Sequence, residues 1–136
     1  MTTYISAALR AQVKDSAADR CEYCLIPDSL SVKRHEIDHI YAEKHNGDTR
    51  FANLCLSCYY CNHFKGSDLC SFDPITSDLV GLFHPRLNRW RDHFALNSAL
   101  IEGITPKGRV TVALLQINSP DRVAERQILI RLDKYP

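Results

Sequence analysis

The tetrapeptide CEYC at residues 21–24 is followed by CYYC at residues 58–61, and these two Cys-x-x-Cys pairs decide which fold the sequence predicts. Four thiolates in two such pairs are typical of a tetrahedral structural Zn²⁺ site. Disulfides or unliganded core thiols are the alternatives, but a reducing compartment favours metal. The predicted zinc ligands are Cys21, Cys24, Cys58 and Cys61.

The overall composition is that of an ordinary globular protein. The length of 136 residues predicts one domain over residues 1–136. The formal net charge of +1 does not indicate a strongly basic nucleic-acid binder. No segment approaches the roughly 18 apolar residues of a membrane span. The first residues lack the basic and apolar regions of a secretory signal, so we expect a cytoplasmic protein without membrane contact.

The segment between the cysteine pairs contains two strand candidates, HEIDHI at residues 35–40 and FANLCLS at residues 51–57. A polar loop joins them, and a short helix is predicted to begin at the second cysteine pair and to end near Gly66. An amphipathic helix is predicted over residues 4–19. The resulting strand, strand, helix core, at about residues 21–68, is too small to be stable by burial alone, which favours a bound metal.

Residues 69–136 are predicted to form a mainly helical extension. Breakers between residues 73 and 93 predict irregular structure there, followed by a hairpin of HFALN and ALIEG that turns at Asn97-Ser98. Thr105-Pro106 and Ser119-Pro120 each combine an N-cap residue with proline at the first helical position, which predicts two helices. The β-branched residues after Pro106 leave a strand possible.

Polar residues between and after the cysteine pairs suit phosphodiester hydrolysis. Asp38 and Asn62 offer the oxygen ligands that Mg²⁺ prefers. A neutral imidazole at His39 can take a proton from water, while a metal stabilises charge on the phosphate. Neighbouring strand residues point to opposite faces, so Asp38 and His39 diverge unless a bulge or the strand end re-aims one of them. A shared site is expected if the helix packs so that Asp38 meets Asn62 while His39 lies at the rim of the cleft.

The order C-x2-C, IDHI, a polar loop with glycine, NL and C-x2-C-N-x-x-K resembles the HNH endonuclease family over about residues 21–66. The resemblance implies an α+β fold with a treble-clef-like ββα-metal core. It implies that His39 is the general base, that Asp38 and Asn62 are metal ligands, and that Asn53 positions the histidine and braces the loop. Asn62 stands where the family often has histidine, as in an H-N-N variant, and His63 is the alternative for this position.

Several further side chains are candidates for contacts with nucleic acid, each with simple solvent exposure as the alternative. They are His45, His63, Lys65, Arg86 and Arg89. Trp90 and Phe94 are expected to pack in the core rather than to stack on bases, and Cys55 is expected to be buried. His35 is expected to be an exposed strand residue.

The sequence thus predicts a metal-dependent HNH endonuclease acting on DNA, with RNA not excluded as a substrate. The expected cofactors are a structural Zn²⁺ and a catalytic Mg²⁺ or Mn²⁺. The low net charge indicates a protein partner, a homodimer or a limited substrate range. A non-catalytic zinc-stabilised module that binds nucleic acid or protein is the alternative, but it would not need Asp38, His39 and Asn62 together.

Overall fold

The computed structural model describes residues 3–136 and is a mixed α+β fold, as the sequence predicted. Apart from two single 3₁₀ turns, five α-helices and three two-stranded antiparallel sheets make up the regular structure of the described residues. In chain order they are α1 (Ala7–Ala17), β1 (Glu36–His39), β2 (Leu54–Ser57), α2 (Tyr59–Lys65), β3 (Cys70–Phe72), β4 (Leu79–Gly81), α3 (Trp90–His93), β5 (Phe94–Asn97), β6 (Leu100–Gly103), α4 (Pro106–Leu114) and α5 (Pro120–Arg131).

The segment between the cysteine pairs forms the predicted ββα unit. Strands β1 and β2 pair antiparallel, with Glu36 opposite Ser57 and His39 opposite Leu54. The second strand is shorter than predicted because residues 51–53 form a single 3₁₀ turn before it. Helix α2 follows β2 directly and ends at Gly66, whose φ of +52° suits glycine.

Strand β2 is buried on both faces, and each face packs on a different core. Leu54 and Leu56 pack against Val13 of α1, whereas Cys55 belongs to the core around the cysteine pairs. This division follows from the two-residue period of a strand. Burying each leucine contributes about 1.5–3 kcal/mol, so α1 is held mainly by this contact.

The extension after residue 68 contains the helices that were predicted, together with two hairpins. The β5–β6 hairpin turns at Ser98, as expected, and the prediction of two later helices is confirmed by α4 and α5. The β3–β4 hairpin was not predicted. It lies partly within the segment expected to be irregular. In the loop of this hairpin, the Asp73 carboxylate accepts two hydrogen bonds from the Arg109 guanidinium of α4.

Helix α5 and the residues after it return to the cysteine pairs. Leu129 and Tyr135 are part of the core that contains all four predicted zinc ligands. The Tyr135 hydroxyl donates a 2.8 Å hydrogen bond to the carbonyl oxygen of Cys24. The end of the described chain therefore covers the cysteine cluster. Among residues 3–136, no helix is both long and apolar enough to cross a membrane.

Candidate active site and metal centre

The four cysteines of the two pairs converge in a buried cluster. Their Sγ atoms all lie within 4.8 Å of one another, and the Sγ atoms of Cys24 and Cys58 are 3.7 Å apart. A tetrahedral Zn²⁺ with Zn–S bonds of about 2.3 Å would hold its sulfur atoms about 3.8 Å apart. Among residues 3–136, no disulfide joins any of the six cysteines. The predicted ligand set therefore fits a structural metal such as zinc.

The two remaining cysteines do not take part in this cluster. Cys55 is buried, as expected, and its thiol donates to the Tyr23 hydroxyl at 3.7 Å. Burial raises the pKa of Cys55, so it remains a neutral thiol at ordinary pH. Cys70 is exposed on β3. Neither residue is needed to complete the metal centre.

Arg122 of α5 reaches the cysteine cluster from the extension. Its Nη2 atom lies 2.9 Å from Sγ of Cys61 and 3.8 Å from Sγ of Cys58. Its Nη1 atom donates to the carbonyl oxygens of Leu115 and Gln116. Burial lowers the pKa of Arg122, but the cysteine sulfur atoms beside it raise that pKa by more, so the net shift is upward. Four thiolates around a divalent ion carry a net negative charge, which this guanidinium partly offsets.

Helix α2 begins at the second cysteine pair and lies against β1. Cys58 is its N-cap, and the Cys58 Sγ accepts a hydrogen bond from the Cys61 backbone N–H. One turn later, the Asn62 Nδ2 donates to Oε2 of Glu36 at 2.5 Å. The contact expected between Asn62 and Asp38 is therefore not the one observed, because Asn62 bonds the acid two residues earlier on the same face of β1.

Asp38 faces α2 but is paired with Lys65. The Lys65 Nζ lies 3.5 Å from Oδ2 of Asp38 and 3.3 Å from the carbonyl oxygen of His39, and the lysine is only 2% exposed. Burial raises the pKa of Asp38, and the Lys65 ammonium opposes that shift. The expectation that Lys65 contacts a phosphate from the helix surface is therefore corrected, because its ammonium is buried against β1.

His39 points away from Asp38, as the strand period predicted, and faces the loop at residues 41–50. Its Nε2 lies 2.9 Å from Oγ1 of Thr49 and 3.3 Å from Oε1 of Glu43. The imidazole is mostly buried, with 14% of its side chain exposed. Sequence reasoning did not identify Thr49 or Glu43, since the polar loop offers several side chains and only its fold selects these two.

Asn53 ties both ends of that loop together. Its Oδ1 accepts from the Tyr41 backbone N–H at 2.8 Å, and its Nδ2 donates to the carbonyl oxygens of Tyr41 at 2.9 Å and Asp48 at 2.8 Å. The geometry matches the loop-bracing role implied by the resemblance. It reaches His39 only indirectly, through the loop that carries Thr49 and Glu43.

Gly47 allows this loop to close tightly. A Cβ atom at residue 47 would lie 1.7 Å from the carbonyl oxygen of Tyr41 and 2.8 Å from Nδ2 of Asn53. Both distances are far below van der Waals contact. The glycine in the polar loop is therefore required by close backbone approach beneath the Asn53 side chain.

The remaining candidates for nucleic-acid contact differ in whether their side chains are exposed to solvent. His45 and Arg89 are exposed, and so is His63, whose ring is stacked on Tyr59; these three remain predictions. Arg86 is corrected. Its guanidinium forms two hydrogen bonds with Glu22, at 2.6 and 3.2 Å, and is therefore not free to bind a phosphate.

Two expectations about packing can also be judged. Phe94 is buried, and Trp90 packs against the same core while its Nε1 donates to the carbonyl oxygen of Tyr23, so core packing is confirmed. The prediction that His35 is exposed is wrong. Its ring is buried, with Nε2 2.9 Å from the carbonyl oxygen of Ile26, because the segment before β1 folds back toward the first cysteine pair.

Comparison with known proteins agrees with this architecture. Residues 21–68 match the family model described as HNH endonuclease. The chain is also 26% identical over 129 residues to the Septu protein PtuB of Bacillus thuringiensis, a match that covers 93% of this chain and 46% of that protein. The chain thus spans about half the length of this curated relative. No solved structure matches the chain. Residues 21–68 are therefore an HNH endonuclease-family domain.

Proposed function

We propose that this protein is a metal-dependent endonuclease that hydrolyses phosphodiester bonds in DNA. The observation that carries the proposal is the divergence of Asp38 and His39 from one strand of the HNH-family domain. Asp38 faces α2, where the Lys65 Nζ lies 3.5 Å from its Oδ2, and His39 faces the loop at residues 41–50. In this proposal Asp38 serves the metal and His39 accepts the proton, on opposite faces at the end of β1.

His39 acts in this proposal as the general base. A neutral imidazole accepts a proton from the attacking water at ordinary pH. The side chain is largely shielded but not closed off, with 14% of its surface exposed, so a water molecule can reach it. Asn53 supports this role indirectly by fixing the loop against which the imidazole rests.

Asp38 and Asn62 are the proposed ligands of a catalytic Mg²⁺ or Mn²⁺. Each side chain offers an oxygen donor of the kind that a hard divalent cation takes. Lys65 already pairs with Oδ2 of Asp38, and Nδ2 of Asn62 donates to Glu36, so Oδ1 of each side chain is the proposed donor atom. A bound cation must compete with the Lys65 ammonium for the Asp38 carboxylate. When bound, such a metal stabilises negative charge on the phosphate and on the leaving oxygen. The separate four-cysteine cluster is proposed to hold Zn²⁺ with a purely structural role.

DNA is the proposed substrate, and the exposed candidates for its contact are His45, His63 and Arg89. Such side chains position a duplex through its phosphates without reading its sequence. With a formal net charge of only +1, the chain offers little electrostatic attraction of its own. We therefore propose that a second copy of the chain or a protein partner contributes to substrate binding.

Plasmid cleavage by wild type and by His39→Ala, each with Mg²⁺, Mn²⁺ or EDTA, tests the proposal. We expect cleavage by wild type that EDTA abolishes, and a loss of about 10²–10⁴-fold in rate for His39→Ala. His93→Gln is the matched control, because His93 is also half-buried but bonds Thr105 in the extension. Zinc content and thermal unfolding of both variants must equal those of wild type.

Two results would contradict the proposal. Equal cleavage by wild type and His39→Ala would exclude His39 as the base. An inactive wild type on duplex DNA, single-stranded DNA and RNA would overturn the endonuclease function and favour a non-catalytic zinc-stabilised binding module. Cleavage of RNA alone would keep the chemistry but change the substrate.

A further inference from the structure

The imidazole of His39 is held through one nitrogen by two side chains from the loop at residues 41–50. Its Nε2 lies 2.9 Å from Oγ1 of Thr49 and 3.3 Å from Oε1 of Glu43. Glu43 is itself fixed, since it begins the 3₁₀ turn Glu43–His45 and its Oε1 accepts from the Thr3 backbone N–H at 3.3 Å.

These contacts select one tautomer of the neutral imidazole. An ionised carboxylate only accepts hydrogen bonds, so the approach of Glu43 to Nε2 favours the tautomer that carries the proton on this nitrogen. In that tautomer the Thr49 hydroxyl oxygen accepts from the same N–H group. Nδ1 is then the nitrogen with the free lone pair, and within residues 3–136 no side chain or backbone group forms a hydrogen bond to it.

We propose that Thr49 and Glu43 are positioning residues that hold His39 by its Nε2–H and thereby direct Nδ1 toward the reacting water. The inference rests on the proposed endonuclease function. Nδ1 is the base atom, and Thr49 and Glu43 act through His39 without touching the substrate.

The loop architecture explains how this arrangement is maintained. Asn53 forms hydrogen bonds with the backbone of Tyr41, two residues before Glu43, and with the backbone of Asp48, directly before Thr49. Gly47 permits the close approach that these bonds need. Asn53 therefore acts on His39 from a distance: it fixes the loop, and the loop fixes the ring.

The first arm of the test uses no nucleic acid. The nitrogen chemical shifts of the His39 imidazole are measured by NMR at about pH 8, where an ordinary imidazole is neutral. Wild type should show the proton on Nε2 and a bare Nδ1. The variant Thr49→Val, combined with Glu43→Ala, should show a mixture of tautomers. A wild type with the proton on Nδ1 would overturn the inference.

The second arm measures kcat and KM on a labelled DNA duplex. Thr49→Val and Glu43→Ala should each lower kcat by about 10–100-fold and leave KM within about twofold, because a misdirected base affects the chemical step. Thr49→Ser and Glu43→Gln keep an acceptor oxygen and should recover most of the loss. Lys44→Gln, an exposed neighbour in the same turn, is the matched control and should retain wild-type kcat.

The two arms separate failure of the inference from failure of the proposed function. Unchanged kcat in Thr49→Val and Glu43→Ala would overturn the positioning role even in an active enzyme. An inactive wild type whose Nε2–H tautomer disappears in the double variant would overturn the endonuclease function while supporting the positioning of His39. Zinc content and thermal unfolding of every variant are measured first, so that a fold defect is not mistaken for misorientation.

Discussion

The Nη2 atom of Arg122 lies 2.9 Å from Sγ of Cys61, across 61 residues of sequence. This contact joins α5 to the metal centre, since the same guanidinium also bonds the carbonyl oxygens of Leu115 and Gln116 at the end of α4. The extension is therefore anchored directly to the metal centre of the HNH-family domain. Metal binding and folding of the extension should depend on each other.

Replacing Arg122 with methionine should weaken metal retention. The change preserves much of the buried volume but removes the charge that offsets the thiolates, and loss of such outer partners typically costs 10–100-fold in metal affinity. The measurement is zinc release in the presence of a competing chelator. Arg131→Met, at an exposed position of the same helix, is the control and should retain wild-type affinity.

Hydrogen exchange on the same Arg122→Met protein tests whether the anchoring of α5 is lost together with metal retention. We expect faster exchange in α5 as well as faster zinc release, because the helix and the metal share one anchor. Wild-type metal affinity together with wild-type exchange would show that Arg122 only fills space.

Replacing Asn53 with alanine should release the loop at residues 41–50. The substitution removes three hydrogen bonds, and two backbone carbonyl groups, those of Tyr41 and Asp48, lose the Asn53 Nδ2 donor. We expect the free energy of unfolding to fall by about 1.5–4 kcal/mol. Hydrogen exchange and thermal unfolding measure the effect. In the control Asn97→Ala, only an exposed bond to Glu102 is lost, so stability should change by less than about 1 kcal/mol. Protected loop amides in Asn53→Ala would contradict the bracing role.

Replacing Gly47 with alanine should displace the same loop for a purely steric reason. The added Cβ would lie 1.7 Å from the Tyr41 carbonyl oxygen, so either the Asn53 bonds or the turn must give way. We expect a lower thermal midpoint and faster exchange at residues 41–50. Gly81→Ala is the matched control, because a Cβ there meets its nearest atom at 3.5 Å, an ordinary contact. Equal midpoints for the two variants would refute the steric argument.

The Asp73–Arg109 pair should make stability depend on acid pH. Hydrogen bonds from the Arg109 guanidinium hold the pKa of Asp73 well below its usual range. The folded carboxylate therefore binds a proton less readily than the unfolded one. Its contribution to stability is present above about pH 4 and is lost as the pH falls below that value toward the folded pKa.

Thermal midpoints of wild type and Asp73→Asn, measured from neutral pH down through that window, test this linkage. Wild type should be the more stable protein at neutral pH, and the difference should shrink as the pH falls. Asp68→Asn, at an exposed position, should follow wild type throughout. A difference in thermal midpoint between wild type and Asp73→Asn that stays constant at all pH values would mean that the charge of Asp73 does not contribute to stability.

The sequence by itself determined the elements whose physical cause is local. The cysteine spacing predicted the buried cluster, the apolar period predicted α1, and the cap-proline pairs at Thr105 and Ser119 predicted α4 and α5. The divergence of Asp38 and His39 also followed from the strand period alone. Each of these inferences needs only residues that are close in sequence or that share one metal.

Only the tertiary structure decided which distant polar groups meet. Lys65, in a helix of seven residues, turns its ammonium inward to Asp38, and Arg122 crosses the chain to Cys61, although both look like ordinary surface cations in the sequence. The choice of Thr49 and Glu43 as partners of His39 depends in the same way on how the loop closes over Gly47. Long polar side chains have many rotamers of similar energy, and packing against other elements selects among them.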